Sequence, residues 1–595
     1  MNCYHNSREA LYRTPSGAQP CGTEITLRLR VGDERRPDKV LLRIWDGGER
    51  FCEMSPVESD ETLYEARFAL PETPCLVWYD FHVWSAGHFF WYGNAEDGLG
   101  GEGAPVWGSA RSFQITAYDP AFRAPAWTRG AVFYQIFPDR FRKDGGAAHR
   151  AGKRDMLAWE TPVPYRADPE TGDFQALDFY GGSLRGIAEK LPYFEALGVT
   201  AIYLNPSFEA TSNHRYDTVD WKRIDSLLGD EADFSALCAA AEKRGIRIIL
   251  DGVFSHAGAM NPDFLAARHS RDAERFGWFV FNNWPDDYKC WWGFRNLPEL
   301  DKNHPGVREH FLSGEDSVVR HWLRAGSAGW RLDVADELPM DYLRELRKNA
   351  RAQRGDAFVL GEVWEDASNK VSYGEMRCYC LGDTLDGVMN YPLREAAIDF
   401  LTGRQPAGAF KRRMDSLYEN YPAPFAQCLL NLMGSHDRAR VLNVLCGADG
   451  EDIPRAQRGK LHLTARQRET GKRLEKMLLW LMCFMPGMPC VYYGDEAGME
   501  GATDPFNRAP FPWGQEDGEL QAFFAETLRR YRECEPLLDG ALEIEAPCDE
   551  ILCVRRHQDG KGVVLCLNRG SHAKRIPAFG TQTTVPARGW TIVEE

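Results

Sequence analysis

Eight short apolar runs, each followed by a stretch of helical character, lie between residues 131 and 515: AVFYQIF, VTAIYLN, RIILDGVF, GWRLDV, FVLGEVW, DGVMNYP, QCLLNLMG and PCVYYG. Short strands alternating with helices are the pattern of a parallel sheet. Eight such units, in about 250 residues plus insertions, predict an α/β fold, the (β/α)8 TIM barrel, whose chemistry sits where the strands end. The surplus length has two places to go. One is the Gly- and charge-rich stretch at 142–180, the other an aromatic segment at 259–303 after the third strand.

Outside this region the period changes. From 24 to 31, EITLRLRV alternates Ile25, Leu27, Leu29 and Val31 with polar neighbours, and CLVWYDFHVW and RSFQITAY continue the pattern. This predicts an N-terminal β-sandwich over residues 1–122, ended by the proline-bearing linker YDPAFRAPAWTRG. The barrel then takes 123–515. ILCVRRH, GVVLCLNRG and GWTIVEE, separated by turn residues, predict a helix and an antiparallel β-sandwich domain over 516–595. The longest apolar run, MLLWLMCFM at 477–485, stops at Pro486 and Gly487, far short of a membrane span, and reads as a buried helix.

Composition narrows the function. Hydrophobic content of 44% and charged content of 27% suit a folded globular chain. A formal net charge of -16 argues against a nucleic-acid or anionic-membrane surface. The 16 Cys are scattered, Cys378 and Cys380 being the one close pair, with neither zinc-ligand spacing nor a compact disulfide framework. Free thiols in a reducing cytoplasm are therefore expected, and the opening MNCYHNSREALYRTPSGAQP has no apolar stretch of signal-peptide length.

Four strands carry a carboxylate near the C-terminal end: Asp251 on the third, Asp333 on the fourth, Glu362 on the fifth and Asp437 on the seventh. Taken singly, each is most simply a helix cap or the closer of a turn. A barrel brings all four to one rim, with His256 and His436 beside them, and the set becomes a site. In GWRLDVADE, alternation puts Arg331, Asp333 and Ala335 on one face, so two charges share a face in a segment that looks buried. Retaining glycoside cleavage needs an ionised carboxylate as nucleophile and a protonated one as acid, about 5 to 5.5 Å apart. Arg331 is expected to lower the pKa of Asp333, and Glu362, with no adjacent cation, to be pushed upward. A salt bridge from Arg331 to Asp251 is compatible with both, since a guanidinium can hold two carboxylates.

These residues resemble glycoside hydrolase family 13, the α-amylase family. Its four signature regions have counterparts in order: DGVFSH at 251–256, GWRLDVADE at 329–337, GEVWE at 361–365 and GSHD at 434–437. YQIFPDRF, YLNPSFEATSNHRYDTVDW, WWGF with LPEL, and YYGDEAGM with DPFNRAPFPW extend the likeness over the whole barrel. The resemblance implies Asp333 as nucleophile, Glu362 as acid/base and Asp437 as stabiliser of the transition state. His256 and His436 would bond the sugar next to the cleaved linkage, Tyr216 would stack beneath it and Arg331 would orient the nucleophile. Asp504 and Arg508 would contact glucose further along. Asp251 and Trp364 complete the expected substrate-binding set, with Trp292 and Phe294 as an aromatic platform. The order of domains is similar to the neopullulanase, cyclomaltodextrinase and maltogenic amylase group, in which the front module is like a carbohydrate-binding module and often mediates homodimers.

Three departures from the group stand out. VADE replaces the usual VANE, bringing Asp336, and EVWE replaces EVWH, bringing Glu365. Ser255 replaces the Asn of DGVFNH, while RKDGG and GGSL lack the oxygen ligands of the family's calcium sites. Calcium takes about six to eight oxygens, so no metal and no other cofactor is expected. The expected partner is an α-glucan oligosaccharide, with no nucleic acid and no membrane. The expected activity is retaining hydrolysis of α-1,4 bonds, with α-1,6 bonds a second option, in maltooligosaccharides, cyclodextrins or pullulan. The same triad would serve a 4-α-glucanotransferase or isomerase, and a non-catalytic glucan-binding protein is the remote alternative.

Overall fold

All eight apolar runs hold a strand. These are β1 Phe133–Ile136, β2 Ala201–Leu204, β3 Arg247–Gly252, β4 Gly329–Leu332, β5 Phe358–Gly361, β6 Gly387–Val388, β7 Leu430–Leu432 and β8 Met488–Tyr492. They pair in the order β6-β5-β4-β3-β2-β1-β8-β7, every pair parallel. A parallel bridge between Met389 and Leu430 joins β6 to β7 and closes the barrel. Closure brings backbones so near that a side chain would not fit: a Cβ on Gly387 would lie 2.0 Å from the Cys428 carbonyl oxygen.

The structure, a computed structural model, describes residues 2–32, 36–85, 87–145, 156–167 and 174–595. Positions 146–155 and 168–173 of the 142–180 stretch lie outside the described residues. The chain forms two compact units. One is Met1–Ala124 with Glu365–Asp386 and Gly408–Ala426; the other is Pro125–Trp364 with Gly387–Ala407 and Gln427–Glu595.

In the second unit the helices begin where sequence chemistry starts them. Asp230 and Asp233 form a reciprocal capping box at the head of helix Glu231–Glu242, and Thr464 and Gln467 do the same for Ala465–Phe484. Met477–Phe484 is buried as its composition demands. The helix ends at Met485, which precedes Pro486 and adopts the extended backbone that position favours. Among the described residues, no helix is long and apolar enough to cross a membrane. The C-terminal part of this unit is a four-stranded antiparallel sheet with a separate hairpin, packed through Ile551, Val564, Ile576 and Val585.

In the first unit, a five-stranded and a seven-stranded sheet enclose one core. The alternation read at 24–31 is realised: Ile25, Leu27, Leu29 and Val31 point inward and their neighbours outward.

Candidate active site

Strand register assembles the rim. Asp251 and Arg331 are direct partners across β3 and β4. The Asp333 amide donates to the Gly252 carbonyl at 3.1 Å, and that of Glu362 to the Leu332 carbonyl at 3.0 Å. The ladder therefore continues one residue past each strand. Arg331, fully buried, then meets three carboxylates at once. Its Nη1 donates to Asp251 at 2.8 and 3.0 Å and to Asp333 Oδ1 at 3.0 Å. Its Nη2 lies 2.8 Å from Glu362 Oε2, an ion pair not aligned as a hydrogen bond.

Beyond Asp333 the strand breaks. Val334 takes a left-handed backbone, φ 37° and ψ 70°, which a β-branched residue rarely adopts. Ala335, expected on the Arg331 face, instead starts a short 3-10 turn, Ala335–Glu337. The left-handed kink aims the Val334 amide at Glu362 Oε2, 2.9 Å away, while the Ala335 amide donates to the Glu362 carbonyl at 3.0 Å. Glu362 Oε1 accepts from Trp364 Nε1 at 3.0 Å. Trp364 is in turn stacked on Tyr391 with 4.1 Å between ring centres and covered by the Arg438 guanidinium.

This geometry corrects the electrostatic expectation. Glu362 does have an adjacent cation, the same Arg331 that holds Asp333. Asp333 is not lowered: burial pushes its pKa well above the usual carboxylate range, with Glu362, Asp251 and Asp437 adding to the rise against the pull of Arg331. Asp251, also buried, is raised as well. One guanidinium shared among three carboxylates cannot keep every one of them ionised against desolvation.

Asp437 is the most open of the three expected catalytic carboxylates, its side chain 30% exposed. Burial and the nearby Glu362 push it up to about 7, opposed by Arg508 and Arg331. Water reaches this side chain, so its burial cost is smaller than that of Asp333. His436 Nε2 lies 3.3 Å from Asp437 Oδ2 and also bonds Tyr216 Oη. Gln135 Nε2 donates to His436 Nδ1 at 2.8 Å and to Asn205 Oδ1 at 3.0 Å, which puts the ring proton on Nε2, facing Asp437. Burial holds His436 neutral, its pKa well below the ordinary value. Tyr216 stacks on His436 at 9° between planes and donates to Asp251 at 3.1 Å. Gln135 lies in YQIFPDRF and Asn205 in YLNPSFEATSNHRYDTVDW, but nothing in their spacing marks them as the pair that orients the histidine.

The remaining expected residues fall into three places. Arg508 ties Asp504 (2.9 Å) to the His436 carbonyl (3.0 Å) and approaches Asp437 Oδ1 at 3.8 Å. His256 is buried and held neutral at about 3, with Nδ1 on Ser255 Oγ at 2.8 Å and Nε2 on the Tyr216 carbonyl at 3.2 Å. Both ring nitrogens thus already have protein partners. Trp292 and Phe294 are 70% and 52% exposed and flank Trp291 in a stacked trio, Trp292 donating to Glu337 at 3.1 Å. Both therefore stand out as surface rings, with Trp291 ringed against His256. Of the departures, Asp336 is buried, and Glu365, in the first unit, pairs with Lys370.

The residues present do not fit a calcium ion. The Ser255 hydroxyl is committed to His256, and the carboxylates Asp139 and Asp178 near DRF are bound by Arg140 at 2.8 and 2.9 Å. Among the described residues, no group of three or more His, Cys, Asp or Glu is arranged to hold a metal.

Residues 135–535 match the family model described as alpha amylase, catalytic domain. An amylopullulanase of Thermoanaerobacter thermohydrosulfuricus is 32% identical over 91% of this chain and 39% of its own length. The chain spans 33% to 48% of the length of three such amylopullulanases. A cyclomaltodextrinase of a Bacillus species is 31% identical over 93% of this chain and 94% of its own. A solved cyclomaltodextrinase superposes with a TM-score of 0.68 at 28% identity, covering 96% of this chain and 92% of that one.

Proposed function

Since the chain belongs to the alpha-amylase family, and so is a glycoside hydrolase, we propose that it cleaves α-glucosidic bonds of short maltooligosaccharides, cyclodextrins or pullulan with retention of configuration. The observation that carries this reading is Arg331 bound through its two terminal nitrogens to Asp333 and Glu362. Two carboxyls sharing one guanidinium favour the close spacing of a retaining pair. Asp333, whose raised pKa reserves its ionised form for the higher end of the pH range, attacks the anomeric carbon as the carboxylate while Glu362 protonates the departing glycosidic oxygen. Glu362 then takes a proton from water as that water releases the sugar from Asp333. Asp437, backed by Arg508 and His436, stabilises the positive charge that grows on the ring. The names of the relatives support the substrate class, and sixteen cysteines free of disulfides support a cytoplasmic setting.

The test is a time course on maltotriose, β-cyclodextrin, pullulan and starch, with the anomer of the first product followed by proton NMR and Glu362→Gln as control. Fast release of α-anomers from cyclodextrin and maltotriose, absent in the variant, is the expected result. First-formed β-anomers, or a fully active Asp333→Ala enzyme, would overturn it, and longer products from maltotriose would convert the reading to a glucan transferase.

A further inference from the structure

β5 ends at Gly361 and Trp364 lies beyond it, so the strand does not fix the indole ring. Two neighbours do. Helix Tyr391–Thr402 presents Tyr391 and, one turn on, Glu395 along one side. The Tyr391 ring is parallel to the indole to within 6°, with 4.1 Å between centres, while the Arg438 guanidinium lies 4.3 Å from the same indole centre. Two groups that close to one ring centre must take its two faces. Arg438 is held in turn. Its Nη2 donates to Glu395 Oε1 at 3.3 Å, and its buried Nε has no hydrogen-bond acceptor, which leaves the electron-rich indole face against it.

Both sides of this grip return to the loop that carries Asp437. Tyr391 Oη is 3.3 Å from Ser435 Oγ, which accepts from the Asp437 amide at 3.2 Å. Asn507 Nδ2 donates to the Arg438 carbonyl and to the His436 carbonyl, each at 2.7 Å, so the loop backbone is pinned on either side of Asp437. The grip leaves the indole one orientation, with Nε1 donating to Glu362 Oε1 at 3.0 Å. A ring free to turn about its side-chain torsions would carry that donor away. Glu362 would then keep a partner only on Oε2, where the Val334 amide and Arg331 sit. Arg438 does not act on the carboxylates directly: among the described residues its ion pair is with Glu395, and it pairs with none of Asp333, Glu362 and Asp437.

We infer that Arg438 is a positioning residue: through Trp364 it fixes Glu362 for delivery of a proton to the departing sugar. The inference rests on the hydrolase reading above, in which Glu362 is the donor. The test compares leaving groups in the full-length enzyme. Maltotriose loses its sugar alcohol only as the glycosidic oxygen takes a proton, whereas α-maltosyl fluoride, attacked by Asp333, expels fluoride with the C–F electron pair and needs no proton. For both substrates kcat/KM reports this first transfer. Arg438→Met should lower kcat/KM on maltotriose about two- to fivefold, the worth of one cation over one indole, and leave that on the fluoride nearly unchanged. Arg438→Lys, which keeps a cation, should recover most of the loss. In a Trp364→Phe background Arg438→Met should do nothing further, since its route to Glu362 is gone. Equal falls on both substrates at parental Tm, or a further fall in the Trp364→Phe background, overturn the inference; Arg438→Gln repeats the comparison if the Met variant melts lower. Glu362→Gln separates the two readings. If it suppresses maltotriose far more than the fluoride while Arg438→Met spares both, this inference fails alone. If it affects the two substrates alike, Glu362 is not the proton donor and the hydrolase roles fail with it.

Discussion

Replacing Arg331 by Met asks whether the rim is held together by charge. Methionine keeps much of the apolar stem while removing the cation bound to Asp251, Asp333 and Glu362. Breaking a buried ion pair typically costs about 3–5 kcal/mol, because the surviving charge stays buried. With three carboxylates losing the same partner, a cost near the top of that range, about 5 kcal/mol, is expected above neutral pH. Protonation offers an escape. Asp251 and Asp333 already titrate above the ordinary range through burial, and Arg331 is the chief influence holding them down. A carboxyl raised in the folded state keeps a proton that the unfolded chain has released. Its stabilising contribution is therefore complete below about pH 4 and is lost as pH rises through the folded value. Arg331→Met raises those folded values further, so the gap to the parent enzyme widens as pH rises. Unfolding entropy of about 2.1 cal/mol/K per residue gives several hundred residues roughly 1 kcal/mol/K. The Tm should then fall by about 5 °C near pH 8 and by less than about half of that near pH 5. Calorimetry of both proteins at the two pH values decides it. An equal fall at both would refute the electrostatic account and leave packing as the role of the side chain.

Asp437→Asn should reduce kcat by on the order of 10²–10³ and abolish a step in the pH–rate profile near 7, where activity rises as Asp437 ionises; a parent profile flat through that region would contradict the assignment. Trp364→Phe removes the 3.0 Å bond to Glu362 but can keep the stack on Tyr391, so kcat should fall about tenfold with KM little changed in steady-state assays. Because His256 engages the Ser255 hydroxyl and Arg140 engages Asp139 and Asp178, the oxygens a calcium ion would need are taken, and dialysis against a chelator should leave kcat and Tm, within about 1 °C, where they were.

The barrel was legible because each strand is a separate apolar run bounded by turn chemistry, and β6, only Gly387–Val388, was found inside the longer DGVMNYP. The rim carboxylates were legible for the same reason: a strand-end position is a one-dimensional property. Arg331 reaching Glu362 was not, since it depends on where a long side chain points across neighbouring strands. Nor was the role of Gln135, which is fixed by an amide 2.8 Å from a histidine three hundred residues away in the chain.

The least legible feature is also the one that ties together Asp333 and Glu362, the two carboxylates proposed for different tasks. Propensity would place Val334 in an extended strand, yet it sits at φ 37°. Such strain, of order 1–3 kcal/mol, persists only where the surroundings over-determine it. Here the Asp333 amide is tied to Gly252, the Val334 amide to Glu362 Oε2 and the Ala335 amide to the Glu362 carbonyl. Relaxing Val334 to a β backbone would swing its N–H away from Glu362 and turn the chain immediately after Asp333. Glu362, the proposed proton donor, is therefore anchored to the backbone next to Asp333, the proposed nucleophile, rather than to a scaffold of its own. Any shift of one carboxyl must move the other, and these three amide hydrogen bonds, which hold the unfavourable torsion against relaxation, are what hold that coupling in place.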